Sequence, residues 1–350
     1  MNTLAKHRLD RARRLLVTGA VVGSGVAVIL GVLSPAAVVP AYRFVAFACL
    51  SPALGSMIFA LIHRTTGGRW GDALAPFLAA GCRLAPWIWT LVLLLVFFAP
   101  DSATRWPDYG SRAMLALRGG IGAALLFALS IPLGRKRTAG TAWVGPVGLI
   151  VLVFTLHILA DDWLVALEPG WHSTAFPVVW MSGQAVAGLA VAILAALVCG
   201  GSPREGHGES RALGLDWGNL LLATLVFWCY VAFAQFLIIW AGNLPREIAW
   251  FVRRSHGFWA AVPLLLLAIH FVLPLAVLLS RTFKRSAIML GLVAFTLVVA
   301  QVLYLAWLIL PGFPRFDWAG DGLAFALVGS ALALFFHRYL AGAEGRLERS

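Results

Sequence analysis

Charge is scarce in this chain. Only 12% of its 350 residues are Asp, Glu, Lys or Arg, about half the share found in soluble globular domains. Long hydrophilic stretches are also missing. The longest connections between apolar runs, 63–81, 100–114, 161–174, 200–216 and 242–257, hold about 15 to 20 residues each, too few for a water-soluble domain or a nucleotide-binding fold. Neither GxxxxGK[ST] nor a strand-borne GxGxxG occurs, and the glycine run Arg118–Leu125 lies within an apolar segment, where small residues let helices pack closely. Cysteine is rare. Cys49, Cys82, Cys199 and Cys229 lie in or beside apolar runs without CxxC spacing, so no iron–sulfur, structural-zinc or haem c motif is present. His157 and His270 each stand alone in a span. No second histidine at similar depth completes a two-haem pattern, so haem ligation is not expected.

What is present is apolar. The chain is 61% hydrophobic with a mean hydropathy of +0.88, and several runs reach the roughly 20 residues needed to cross a bilayer as helix. The expectation is an all-α polytopic membrane protein with about ten transmembrane helices near 15–33, 42–62, 82–99, 115–133, 143–160, 175–199, 217–241, 258–280, 287–310 and 320–340. The basic N-terminus leads into an apolar run without a clean cleavage site, which reads as a retained first helix. Placing both termini in the cytoplasm puts nineteen of the twenty-seven Lys and Arg residues inside, including Arg64, Arg69, Arg83, Arg281, Lys284 and Arg285. The positive-inside rule supports that orientation. The net charge of +12 therefore points to lipid headgroups rather than nucleic acid. The loop 200–214 divides the chain, and VAFA recurs at 45–48 and 231–234, a loose echo between halves.

The polar groups concentrate in Thr155–Thr174, TLHILADDWLVALEPGWHST. His157 and Asp161, four apart, share a helix face and can form a hydrogen-bonded pair whose aspartate tunes the histidine. The pair reads as a proton relay or as a structural network. Asp162 reads as part of an interfacial capping cluster. Glu168 stands either at the mouth of a wet cavity, if EPGWHSTAFP dips into the membrane, or in an ordinary loop with tryptophan anchors. His270 lies roughly 20 Å into its span. Pro274 leaves the His270 carbonyl without its helical partner, and an intramembrane histidine is a functional candidate. Gln184, Gln235 and Gln301 either join helices or hold water or a quinone headgroup. His63 and Arg83 read as the cytoplasmic end of a polar track, His63 also as a helix-end anchor.

The segments HILADDWLVALEPGWHST, AFAQFLIIWAGNLPRE and HFVLPLAVLLSR, in this order, resemble the NrfD/PsrC-like family and within it the ActF-type membrane subunits of alternative complex III. The resemblance runs from about Tyr42 to Leu310. It implies two four-helix bundles, 42–174 and 175–310, flanked by a peripheral first helix within 1–41 and a tenth within 311–350. It also implies a bacterial inner-membrane complex that oxidises quinol and reduces cytochrome c or a related acceptor. Haem c and iron–sulfur clusters would reside in other subunits, and none in this chain. The expected partners are a multihaem cytochrome c, an iron–sulfur subunit, a second NrfD-like subunit of the ActC type, small membrane subunits and lipids. The chain itself would act as scaffold and proton conductor, with His157, Asp161, Asp162, Glu168, His270, Gln235, Gln184, His63 and Arg83 as candidate proton-path residues. Its short loops depart from the family pattern and leave the inner end of such a path undefined. The alternative is a quinone-binding anchor for a molybdopterin and iron–sulfur oxidoreductase. A secondary transporter is disfavoured by the lack of clustered mid-span charge.

Overall fold

A computed structural model describes residues 3–33, 38–98, 111–135, 141–168, 170–199, 208–313, 322, 326–327 and 330–340. Asp101, Arg105, Asp108, Lys136, Arg137, Pro169, Arg204, Arg315, Asp317, Arg346 and Arg349 lie outside them, as does much of the expected tenth span. The described chain is helical almost throughout. The helices are α1 (Thr3–Leu33), α2 (Val38–Thr66), α3 (Arg69–Phe98), α4 (Arg112–Leu133), α5 (Val144–Trp163), α6 (Phe176–Val198), α7 (Gly208–Gly242) and α8 (Pro245–Arg253). They are followed by α9 (Val262–Leu266), a π-helical segment (Leu267–Val272), α10 (Leu273–Leu279), α11 (Arg281–Arg285) and α12 (Ala287–Ile309). Among the described residues, eight helical segments are long and apolar enough to cross a bilayer: Val38–Thr66, Arg69–Phe97, Arg112–Leu133, Val144–Leu167, Phe176–Val198, Leu213–Gly242, Val262–Leu279 and Ala287–Gly312. The chain is an all-α, multi-pass membrane protein. Helix satisfies every backbone donor and acceptor within the segment, which lipid cannot do.

Two helices sit at the centre. α2 and α6 are buried along most of their length and run against each other. Glycine permits this. A Cβ on Gly188 would fall on the Gly55 backbone, and one on Gly55 on the Gln184 carbonyl. The two backbones therefore touch, as small residues allow in membrane helices. α3, α5 and α12 pack around α2, while α7 and α12 pack against α6. α4 bridges α3 and α5. The helical residues 330–340 lie against α2, where the Tyr339 hydroxyl is 3.3 Å from Ser56 Oγ. α1 meets the same segment through Gly23 and Ser330, and leaves Leu15, Val21, Ile29 and Val32 exposed.

Local signals set the ends. Ser111 caps α4 by accepting from the Met114 amide at 3.2 Å, and Ser286 caps α12 through Met289. Gly67 and Gly68, with φ of 71° and 104°, make the turn from α2 to α3. That turn corrects one expectation. The third helix begins at Arg69 rather than near residue 82, because the two glycines complete the turn and RWGDALAPFLAAG is apolar enough to continue as helix. The connection 242–257 likewise contains a helix, α8, with Pro245 in its first turn and Arg253 in its last. The VAFA echo differs in burial. Phe47 is 1% exposed, between Trp89 and Trp180, whereas Phe233 is 59% exposed.

Candidate functional site

The helices alternate in direction, so the ends of α3, α5, α7 and α12 and the starts of α2, α4 and α6 share one end of the molecule. Tryptophan and paired charge gather there. α5 delivers His157, Asp161 and Asp162 on two faces. His157 Nε2 lies 3.5 Å from Asp161 Oδ2, and both side chains are about one-third to two-fifths exposed on the outward face. Asp162 points inward, where its carboxylate is buried and meets Arg118 of α4 at 2.9 Å. The next side chain, Trp163, packs edge-on against Trp89. The expected helical pair thus forms, but it faces outward rather than into the bundle. Asp162, expected in an interfacial capping cluster, is instead buried in a cross-helix ion pair.

Glu168 follows a 3-10 turn, Val165–Leu167, and is 4% exposed. Two arginines of the α8 region hold it. Arg253 Nη2 lies 2.7 Å from Oε1, and Arg254 Nη1 lies 3.7 Å from Oε2. Arg254 is itself buried. It donates from Nε to the Trp307 carbonyl at 3.1 Å, from Nη1 to Trp250 at 2.9 Å and from Nη2 to Leu308 at 2.7 Å, and its guanidinium lies 3.9 Å from the Trp250 ring centroid. Burial pulls Arg254 down from the ordinary arginine range to about 9, and Glu168 opposes that shift. Arg254 therefore remains charged at neutral pH. Trp171 stacks on Trp250 at 5.4 Å and donates to the Glu247 carbonyl at 3.1 Å. Gln235 of α7 donates to Ser173 at 3.0 Å. Together, α8, the loop after α5 and the end of α12 form a sealed cap. Glu168 sits beneath it rather than at an open mouth.

The centre of the molecule holds a second polar group. His270 is fully buried on the π-helical segment just before Pro274, which removes a backbone donor. Its ring stacks on Trp228 of α7, centroids 3.9 Å apart, and lies 6.3 Å from Tyr304 of α12. Neither imidazole nitrogen has a hydrogen-bond partner among the described residues. Gln184 donates to the Trp180 carbonyl at 2.9 Å and Gln301 to Ser51 at 3.3 Å, while both Oε1 atoms remain without a partner among the described residues. Near the start of α2, Arg43 is 1% exposed between the rings of Trp163 and Phe313, at 5.8 and 5.6 Å.

The opposite end is basic. His63 Nε2 lies 3.2 Å from both Asp72 Oδ1 and the Gly68 carbonyl oxygen, so this histidine pins the α2–α3 turn. Arg83 is exposed fourteen residues after Arg69, about 21 Å along α3. It is therefore not at the helix end beside His63, because α3 starts earlier than expected. Among the described residues no cluster of three His, Cys, Asp or Glu side chains could hold a metal.

The nine expected residues thus fall into separate groups: the outward pair, the inward ion pair, the capped Glu168 with Gln235, the buried His270, Gln184 in the central contact, His63 at the basic turn, and Arg83 midway along α3. Arg43, Arg118, Arg253 and Arg254 were legible in sequence only as basic residues of one side. No protein-family model matches the chain, and a search of curated proteins finds no match.

Proposed function

We propose that the chain is the ActF-type membrane subunit of alternative complex III, in the NrfD/PsrC-like family. In this reading α2–α5 form one four-helix bundle, and α6, α7, the 262–279 span and α12 form the second. α1 and the C-terminal helical segment stand outside them, and the tryptophan-rich end faces the periplasm. The subunit builds the membrane arm of a bacterial quinol-oxidising complex whose haem c and iron–sulfur clusters belong to other subunits. It also relays protons. The sequence resemblance supports the class. The single observation that favours proton conduction is His270, a buried imidazole with no protein partner at either nitrogen among the described residues. Such a ring either carries a standing penalty or exchanges protons with water. The capped Glu168 and the Asp162–Arg118 pair hold the fold on this reading.

Purification in mild detergent, with subunit mass spectrometry and haem and quinone assays, tests the class. Co-purification with a multihaem cytochrome c, a large iron–sulfur subunit and a second NrfD-like protein is expected. In the same complex, His270→Phe keeps the stack on Trp228 and removes both nitrogens. It is expected to lower proton uptake per electron, and an unchanged stoichiometry leaves the subunit a scaffold.

One observation favours a second reading, the quinone-reactive anchor. An apolar groove of about 370 Å³ runs between α4 and α5 past Arg118, Phe154 and Ile158. It has the form needed for an isoprenoid tail. Isolation with only a ferredoxin-like and a molybdopterin subunit would select this reading.

A further inference from the structure

The basic end carries a pocket that neither reading uses. It has a volume of about 440 Å³ and lies between α7 and α11, with Asp216 and Asn219 on one wall and Arg281, Lys284 and Arg285 on the other. Leu215 and Leu279 also line it, and Leu279 is the last residue of its span. The pocket therefore opens where hydrocarbon gives way to headgroups.

Lys284 makes it a built site rather than a patch of surface charge. The side chain is 6% exposed, unusual for lysine. Its stem lies against Gly218 of α7, where a Cβ would collide with Lys284 Cγ. Its ammonium donates to Asn219 Oδ1 at 2.6 Å, a neutral acceptor. No ion pair within 4 Å joins it to Asp216. A buried ammonium is costly without an anion, and one amide oxygen satisfies only one of its three donors. Arg281 and Arg285 are exposed at the rim. Three cations thus face one carboxylate across a cavity large enough for a phosphate group.

We propose that this pocket binds the phosphate of an anionic membrane phospholipid, with the ammonium of Lys284 beneath it, Arg281 and Arg285 around it, and the acyl chains leaving past Leu279. Basic pockets between transmembrane helices at the membrane surface recognise such headgroups. Inorganic phosphate has the same recognition chemistry. The position at the end of the span, with apolar residues on the wall, selects the lipid.

The test is native mass spectrometry of the delipidated full chain with added cardiolipin, phosphatidylglycerol or phosphatidylcholine, repeated with inorganic phosphate as competitor. One anionic lipid is expected to bind well ahead of phosphatidylcholine. Arg281→Gln/Arg285→Gln is expected to weaken it about thirtyfold. Arg69→Gln, an exposed arginine at the same end outside the pocket, is expected to change nothing. Gly218→Ala keeps every charge but pushes the Lys284 stem from its seat, and is also expected to weaken binding. Equal binding of phosphatidylcholine, or full affinity in both pocket variants, overturns the site. Displacement of the lipid by inorganic phosphate at equal concentration overturns the lipid as occupant.

Discussion

At the scale of single residues, buried charge is the deciding quantity. Glu168 and Arg254 are both withdrawn from water and lie within 4 Å of each other. Removing one member of such a pair costs about 3–5 kcal/mol, because the partner is left buried and unpaired. Glu168→Gln is therefore expected to lower the melting temperature in detergent substantially. Arg253→Gln, whose partly exposed side chain is screened by solvent, is expected to cost about 1 kcal/mol or less. Parallel thermal melts check the order of the two. His270 should behave in the opposite way. His270→Phe removes two buried polar atoms without partners among the described residues and keeps an aromatic ring on Trp228. It is expected to leave the melting temperature unchanged or higher, which separates a relay role from a structural one.

At the scale of elements, the contact between α2 and α6 is the tightest constraint. Both helices are central, and Gly55 and Gly188 bring their backbones together. Overpacking a well-filled interior costs about 1–3 kcal/mol even where side chains can adjust, and backbone adjusts less. Gly188→Ala is expected to destabilise the protein by at least that amount, read as loss of folded yield in a fluorescence size-exclusion profile. Gly120→Ala, at a position open to the outside of α4, is expected to have no effect. The span through Val262–Leu279 shows a second kind of constraint. Pro274 was legible as a perturbing residue, but a π-helical segment at Leu267–Val272 was not, since a missing donor can be met by a kink, by water or by a wider turn.

At the scale of the whole molecule, asymmetry between the two ends follows from residue choice. The indole and guanidinium cap lies at one end, and the Lys284 pocket and the His63 turn at the other. On the proposed orientation a cysteine replacing the exposed Arg246 labels with an impermeant maleimide in right-side-out vesicles, and one replacing the exposed Thr66 labels only in inverted vesicles. The reverse pattern would turn the molecule over and place the basic end outside.

Hydropathy by itself determined that the chain is an all-helical membrane protein, because no other backbone satisfies its own polar groups in lipid as a lone segment. It also located most spans closely, as with 115–133 against the observed Arg112–Leu133. Spacing by itself determined that His157 and Asp161 would meet, since four residues on a helix bring side chains together. Tertiary structure alone decided that this pair faces outward, that Asp162 turns inward to Arg118, and that Glu168 is enclosed by arginines at the end of α8, more than eighty residues along the chain. Periodicity is weak when a helix is apolar on all sides, so facing is set by which neighbours it packs against. A partner distant in sequence leaves no local mark. Only the folded arrangement shows which charges are buried, and therefore which ones the protein must pair.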